Sequence, residues 1–363
     1  MEKLKVGIIG CGNISGIYCK RLKEFDIIDL VACSDIILER AQQKQKEFNI
    51  PRACTVEEIL ADPDIEIIVN LTTPNAHYQV AMSSLNAGKS VYNEKPLAIN
   101  KKQDKEILEI AEKKNLFVGC APDTFLGAGI QTCRKIIDDG LIGEPVSATA
   151  FMVCHGHESW HPEPEFYYKP GAGPMFDMGP YYLTCLVNLI GPVKNVFAFT
   201  RITFPERIIT SQPKYGSKIK VEVPTHIAGL LEFENKAIGT IITSFDVWAA
   251  NLPRIEIYGT KGSINVPDPN CFGGPVQIFT ETEKQWKEVP LTHRYMDNYR
   301  GLGIADMAYA IRNKRKHRAN GKLAFHILDI MESLHVAAEK KQSITLESTC
   351  EKPEPMPQGE ISS

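Results

Sequence analysis

Among ten cysteines the chain has no Cys-x-x-Cys pair, and several of the ten lie inside apolar strand or helix runs. They read as small buried hydrophobes in a reducing cytosol, not as a disulfide framework. No apolar run approaches the ~18 residues of a membrane span, and the chain opens directly into a strand without a signal-peptide pattern. We therefore expect a cytoplasmic protein with no membrane partner. Charge of one sign is missing too: a formal net charge of -3 argues against a polyanionic partner such as nucleic acid. The one basic run, Arg312-Asn313-Lys314-Arg315-Lys316-His317-Arg318, follows an amphipathic pattern and reads as a helix C-terminus with its solvated exit loop. Internal repeats are absent. What is present is ordinary globular composition over 363 residues, enough chain for two domains.

The opening stretch carries the strongest pattern. Val6-Gly7-Ile8-Ile9 is a short apolar run, Gly10-Cys11-Gly12-Asn13-Ile14-Ser15 a tight Gly-rich turn, and helix-compatible spacing continues to about Phe25. A second apolar run, Leu30-Val31-Ala32-Cys33, ends on Ser34-Asp35. This is the order of a dinucleotide-binding βαβ unit. Gly10 permits the turn and Gly12 lets backbone approach a pyrophosphate. The chain from Gly12 through Asn13 and Ile14 into the helix then offers N–H groups and a positive dipole end to that anion. Asp35 sits where a carboxylate accepts both adenosine ribose hydroxyls. It would meet the 2′-phosphate of NADP as a like charge, and Ile36 and Ile37 follow where NADP users set an Arg, with Arg40 already on the next helical stretch, so the expected cofactor is NAD. Ser15 replaces the usual Gly or Ala, which predicts a looser helix-to-strand contact.

Strand and helix signals alternate through about residue 120, the pattern of a parallel sheet covered on both faces. Residues 65–71, 90–92 and 116–119 read as strands, 76–87 and 101–115 as helices. From Glu144 the texture changes: 146–153, 193–204, 226–233, 237–245, 254–258 and 263–266 read as strands joined by short turns, which implies a largely antiparallel sheet. Glu234-Asn235-Lys236 is a hairpin turn with Asn235 suited to left-handed backbone, and Gly259-Thr260-Lys261-Gly262 is another turn. Helical patterns return at 303–313 and 323–340, and the Pro- and Glu-rich end from 351 reads as extended. The expected fold is an N-terminal doubly wound parallel sheet over residues 1–122 and an α+β domain with a large open, mostly antiparallel sheet over 123–345. A tail, 346–363, follows.

The third strand ends in Asn70-Leu71-Thr72-Thr73-Pro74-Asn75-Ala76-His77 and the fourth in Asn93-Glu94-Lys95-Pro96. In an open parallel sheet ligands sit beyond the carboxyl ends of the strands, so Thr72, Thr73, Pro74, Asn75, His77, Glu94 and Lys95 are cofactor-side candidates. Lys95 falls near the nicotinamide or is a surface lysine at a strand exit. Pro96 holds it extended and permits a cis bond. Farther on, Gly171-Ala172-Gly173-Pro174 is a flexible turn and 181–190 an apolar helix stopped by Gly191-Pro192. If helical geometry begins by Asp177, then Asp177 and Tyr181 share a face; the alternative is a capping Asp and a packed Tyr. His157-Glu158-Ser159-Trp160-His161 matches the H-E-x-x-H string of zinc proteases, but Pro162 and Pro164 follow and a strand precedes. A helix holding both imidazoles is not expected, and no metal is assigned. His155, His157, His161 and Trp160 instead offer hydrogen bonds and a flat face to a polyhydroxylated ring, or plain loop packing. Asp123 either contacts substrate or caps a turn, and the loop around Trp160, Tyr167 and Tyr168 sets specificity.

The opening fingerprint, Thr-Pro-x-x-His, Glu-Lys-Pro and Gly171-Ala172-Gly173-Pro174-Met175-Phe176-Asp177-Met178-Gly179-Pro180-Tyr181-Tyr182 together resemble the glucose-fructose oxidoreductase, inositol dehydrogenase and rhizopine-catabolism (Gfo/Idh/MocA) family over nearly the whole chain. The resemblance implies a Rossmann cofactor domain and a reaction centre lined by the lysine of Glu-Lys-Pro and an Asp-x-Gly-x-(His or Tyr) motif, which Lys95, Asp177, Gly179 and Tyr181 fit. Tyr181 stands where the inositol dehydrogenase branch has His and Thr184 where it has Asp, which points to the glucose-fructose oxidoreductase and dihydrodiol dehydrogenase side. The implied activity is hydride transfer between a secondary hydroxyl of a sugar, glycoside or cyclic polyol and NAD, with Lys95 polarising the oxygen, Tyr181 taking or relaying the proton and Asp177 orienting Lys95. Two other readings keep the dinucleotide: a redox-neutral oxidation and elimination at a glycosidic bond, and a non-catalytic sensor. The resemblance also implies a homo-oligomer built through the open sheet.

Overall fold

The computed structural model describes residues 1–361. The chain divides into two compact units, one comprising Met1–Ala128, His293–Phe325 and the segment from residue 353 onward, the other Gly129–Thr292 and His326–Lys352. The chain thus returns twice to its first unit, whereas the sequence reading sets contiguous domains over 1–122 and 123–345 with a tail from 346. The basic run supplies the physical reason. Arg312 grips both carboxylate oxygens of Glu66 (2.7 and 2.6 Å), Arg315 and Arg318 converge on the fully buried Asp306, and Arg318 also donates to the carbonyls of Glu354 and Pro355. His317 is buried as well. A stretch that read as solvated instead binds the first unit together, and the described tail carries no helix or strand yet buries Met356 and Ile361.

In the first unit six parallel strands, β1 (Leu4–Ile9), β2 (Ile28–Ser34), β3 (Arg52–Cys54), β4 (Ile67–Asn70), β5 (Ser90–Asn93) and β6 (Val118–Cys120), run in the order β3-β2-β1-β4-β5-β6. Helices α1 (Ser15–Leu22), α2 (Leu38–Phe48), α3 (Val56–Ala61), α4 (Pro74–Asn86) and α5 (Lys101–Lys114) connect them. The order reverses at β1 and β4, which opens a crevice beyond their carboxyl ends. β4 and β5 are buried throughout, as continuous apolar runs in a two-sided parallel sheet must be. α1 stops at Leu22, short of Phe25.

The second unit contains α6 (Ala128–Asp138), β7 (Pro145–Val153), α7 (Pro174–Leu189), β8 (Val193–Arg201), a small hairpin of β9 (Glu206–Ile208) and β10 (Lys218–Lys220), then β11 (His226–Phe233), β12 (Ile238–Ser244), β13 (Ile255–Gly259), β14 (Gly262–Val266), β15 (Val276–Thr280) and β16 (Trp286–Val289). After α8 (Leu302–Asn313), which belongs to the first unit, come α9 (Gly321–Lys340) and β17 (Ile344–Thr345). Nine strands form one sheet, β16-β15-β14-β13-β7-β12-β11-β8-β17, and every neighbouring pair is antiparallel except β7 and β12. α7 lies on one face against β7, β11 and β12. The other face is open: Phe199, Leu230 and Ile238 are 63%, 48% and 56% exposed. At the β11–β12 turn it is Lys236, not Asn235, that takes the left-handed backbone (φ 71°), while Asn235 Oδ1 accepts the Ala237 N–H at 3.0 Å. Among the described residues no helix is long and apolar enough to cross a membrane.

Candidate active site

Each feature of the Gly-rich turn has a steric cause. Gly10 has φ +102°, and a Cβ there would lie 2.6 Å from the Leu71 carbonyl carbon, so only glycine fits. Gly12 is the opposite case: nothing lies within 4 Å of its Cβ position, and Asn13 and Ile14 beside it are exposed. The turn thus offers open space at the strand ends, as a pyrophosphate cradle requires. Ser15, the departure from Gly or Ala, is fully buried and donates its Oγ to Gly12 O at 2.7 Å, a bond that closes the turn. Asp35, at the exit of β2, accepts from Cys11 N (2.7 Å) and Ile37 N (2.9 Å), which anchors the acid to the turn itself.

Past β4, Asn70 Oδ1 accepts from Thr72 Oγ1 (2.7 Å), and Thr73, Pro74 and Asn75 are exposed at the start of α4. His77 does not join them. Its place on α4 turns it into the sheet, 1% exposed, where Nδ1 and Nε2 meet the carbonyls of Pro96 (2.6 Å) and Thr72 (3.0 Å). There it clamps two strand-exit loops, and burial lowers its pKa. Glu94 accepts from the Tyr18 phenol (2.7 Å) and the Lys95 N–H (2.9 Å), and the Lys95–Pro96 bond is cis. Asp123 is likewise withdrawn: 1% exposed, it accepts from Gly301 N (2.8 Å) and Gly303 N (3.0 Å) and so caps α8. Burial pushes its carboxyl up to about 6 against the pull of those N–H groups. Of the two roles open to it, the cap is the one it fills.

In the second unit α7 begins at Pro174, so Asp177 and Tyr181 stand one helical turn apart. His157 Nε2 lies 3.2 Å from Asp177 Oδ2. That ring is 7% exposed and packed edge-on by Tyr167 (centroids 3.9 Å) with Phe245 at 4.7 Å and Trp160 at 5.2 Å, and its Nδ1 is buried without a partner. The proton therefore belongs on Nε2, donated to Asp177, giving a carboxylate-oriented imidazole. Trp160 is 61% exposed, His161 accepts from Glu163 N (3.0 Å), and His155 stacks on Trp248 at 3.4 Å. Residues 157–161 form a turn, not a helix, and Glu158 is committed to Arg207. Among the described residues no three His, Cys, Asp or Glu side chains are placed to hold a metal ion. Of the loop tyrosines Tyr167 packs directly on the His157 ring, while Tyr168, fully buried, lies behind it against Phe245 (centroids 5.9 Å).

Residues 4–121 match the oxidoreductase family with NAD-binding Rossmann fold, and residues 130–265 the GFO/IDH/MocA C-terminal domain. The chain belongs to the GFO/IDH/MocA family. It is 23% identical to the trans-1,2-dihydrobenzene-1,2-diol dehydrogenase of Bos taurus over 91% of this chain and 92% of that protein. It is 24% identical to the myo-inositol 2-dehydrogenase of Thermotoga maritima over 72% and 74%. The fold matches a levoglucosan dehydrogenase solved with NADH and L-sorbose, with TM-score 0.81 and 20% identity over 96% of this chain and all of that one. This GFO/IDH/MocA member is thus an oxidoreductase with a nicotinamide site, which the Gly10–Ser15 turn and Asp35 fit. Four residues around the His155–His161 loop escaped the sequence reading: Phe245 on His157, Trp248 on His155, Arg207 on Glu158, and Asp246 on Arg207. Arg207 comes from the β9–β10 hairpin, and the other three follow β12, whose parallel pairing with β7 brings Ser244 beside Val153 and sends both exit loops the same way. No local motif announces that pairing.

Proposed function

We propose that this family member transfers hydride between a secondary hydroxyl of a sugar, glycoside or related cyclic polyol and NAD. The observation that carries the reading is the Asp177–Tyr181 helix face with His157 held on Asp177, a proton-handling set among rings suited to a sugar face. Bound nicotinamide supplies the hydride acceptor. Lys95 polarises the substrate oxygen, Tyr181 relays its proton, and Asp177 with His157 keeps the charged partners in register. The relatives named above act, by their names, on trans-1,2-dihydrobenzene-1,2-diol, myo-inositol and levoglucosan, which supports that substrate class. The test offers purified protein myo-inositol, levoglucosan and a panel of glycosides while following reduced nicotinamide. Lys95→Ala should lower kcat on the order of 100-fold or more, and a loss of only a few-fold would overturn the assignment. Accumulating free aglycone without reduced nicotinamide would replace net oxidation by the redox-neutral cycle.

Asp35 supports NAD over NADP, because its carboxylate would face the 2′-phosphate in a partly desolvated crevice and Ile36 and Ile37, both exposed, offer no cation. We expect at least a ~tenfold preference in dissociation constant, about 1.4 kcal/mol, reduced or reversed in Asp35→Ser; equal affinities in the parent protein would refute it. The open face around Phe199, Leu230 and Ile238 suits a second copy of the chain, and a monomer at micromolar concentration in sedimentation would count against that.

A further inference from the structure

Gly156 has φ +76°, and a Cβ there would lie 2.1 Å from Glu158 Oε2, 2.4 Å from the Tyr168 hydroxyl and 2.8 Å from Arg207 Nη1. The chain folds Glu158 back beneath its own turn, and only glycine leaves the room. There the Glu158 carboxylate accepts from Arg207 Nη1 (2.6 Å) and from the Tyr168 phenol (2.7 Å). The other terminal nitrogen of Arg207 donates to the Phe245 carbonyl (2.7 Å) and to Asp246, which also accepts from Thr225 Oγ1 (2.7 Å). All three charged side chains are buried, at 4%, 10% and 7% exposure for Arg207, Glu158 and Asp246. The exit of β9 bolts the same turn from the backbone, with Thr210 N and Ser211 N both 2.9 Å from Glu158 O and Ser211 Oγ on His161 O.

One guanidinium fork therefore ties two segments that are far apart in sequence, the turn carrying His157 and the end of β12 carrying Phe245, whose ring packs on His157. A buried cluster of two carboxylates and one guanidinium is a poor source of net stability compared with apolar packing. Its value lies in geometry. The ring of His157 has one hydrogen-bonding contact, to Asp177, and an unpartnered Nδ1, so its aim depends on the turn beneath it. We propose that Arg207 is a positioning residue that holds His157 in line with Asp177 by locking the Gly156–Glu158 turn to the end of β12. This rests on the reading that His157 and Asp177 serve the substrate.

Arg207→Lys keeps the charge but cannot span both carboxylates and the Phe245 carbonyl, and Tyr168→Phe removes a single bond to Glu158, a milder change if the first variant fails to fold. Each is compared with the parent protein in NAD dissociation constant, in ¹⁵N-histidine spectra with the His157 signals assigned through His157→Gln, and in kcat and KM with levoglucosan and myo-inositol. In Arg207→Lys we expect the His157 signals to shift or broaden, kcat to fall on the order of tenfold or more as for a small misplacement of a reacting group, and NAD affinity to stay within about twofold; Tyr168→Phe should show the same pattern more weakly. Unchanged His157 signals in folded Arg207→Lys would overturn the positioning role, whether or not either polyol is turned over. Displaced signals with unchanged kcat would uphold the positioning and overturn instead the use of His157 in the proposed reaction.

Discussion

His326 makes the second unit acid-sensitive in a way that can be worked out from its partners. The ring has no exposed surface; Nε2 accepts the Val193 N–H at 3.0 Å, and Nδ1 pairs with Ser348 Oγ at 2.9 Å, which in turn donates to Asp329 at 2.8 Å. A second ring proton would have to sit on Nε2, facing an N–H. Burial accordingly pushes the imidazole down to about 4, although Asp329 and Glu234 pull it upward. Because the folded value lies below the unfolded one near 6.5, the contribution to stability is complete above pH 6.5 and is lost as pH falls toward 4. A depression of that size is worth about 3 kcal/mol in all, of which about 2.5 kcal/mol is gone by pH 4.5. His326→Gln can keep both hydrogen bonds without titrating, and should cost about 1 kcal/mol at pH 7.5. All three tryptophans, Trp160, Trp248 and Trp286, belong to the second unit, so fluorescence-detected urea unfolding reads the relevant transition. Between pH 7.5 and 4.5 the stability difference between variant and parent should move by about 2.5 kcal/mol in favour of the variant. Parallel loss in both proteins, to within about 0.5 kcal/mol, would refute the assignment.

Two further outcomes test the first unit. Gly10→Ala places a methyl 2.6 Å from the Leu71 carbonyl carbon at φ +102°, so NAD affinity should fall at least ~tenfold, with the strained backbone costing on the order of 1–3 kcal/mol; titration by nucleotide fluorescence checks it, and wild-type affinity would contradict the cradle. Asp306→Asn removes the buried anion shared by Arg315 and Arg318 and should destabilise the first unit by about 3–5 kcal/mol in urea unfolding followed by circular dichroism, with a loss under about 1 kcal/mol contradicting the role given to the basic run.

Local signals were enough for the Gly-rich turn, Asp35 and the buried strands of the first unit, because a turn that must run at positive φ and a strand buried on both faces each restrict residue type directly. Short elements such as β3 and α3 carry too few residues to show a period. Composition misled at the basic run, since Lys and Arg at a helix end look alike whether they meet water or a buried Asp306. His77 and Asp123 were placed correctly along the chain but not in depth, because a polar residue at a strand exit has the same local sequence whether it faces a ligand or a backbone carbonyl or N–H group.

The parallel dinucleotide-binding sheet, the run of strands behind it and the Asp177–Tyr181 spacing follow from periodicity and backbone constraint within a few residues, and were legible before any folding. The tertiary structure alone decided which loops meet. The single parallel pairing of β7 with β12 sets their exits side by side, so that His157 packs on Phe245 while Arg207, from a separate hairpin, joins Glu158 to Asp246. Strand pairing is chosen by the summed burial of a whole sheet, and that sum is not written in any one segment.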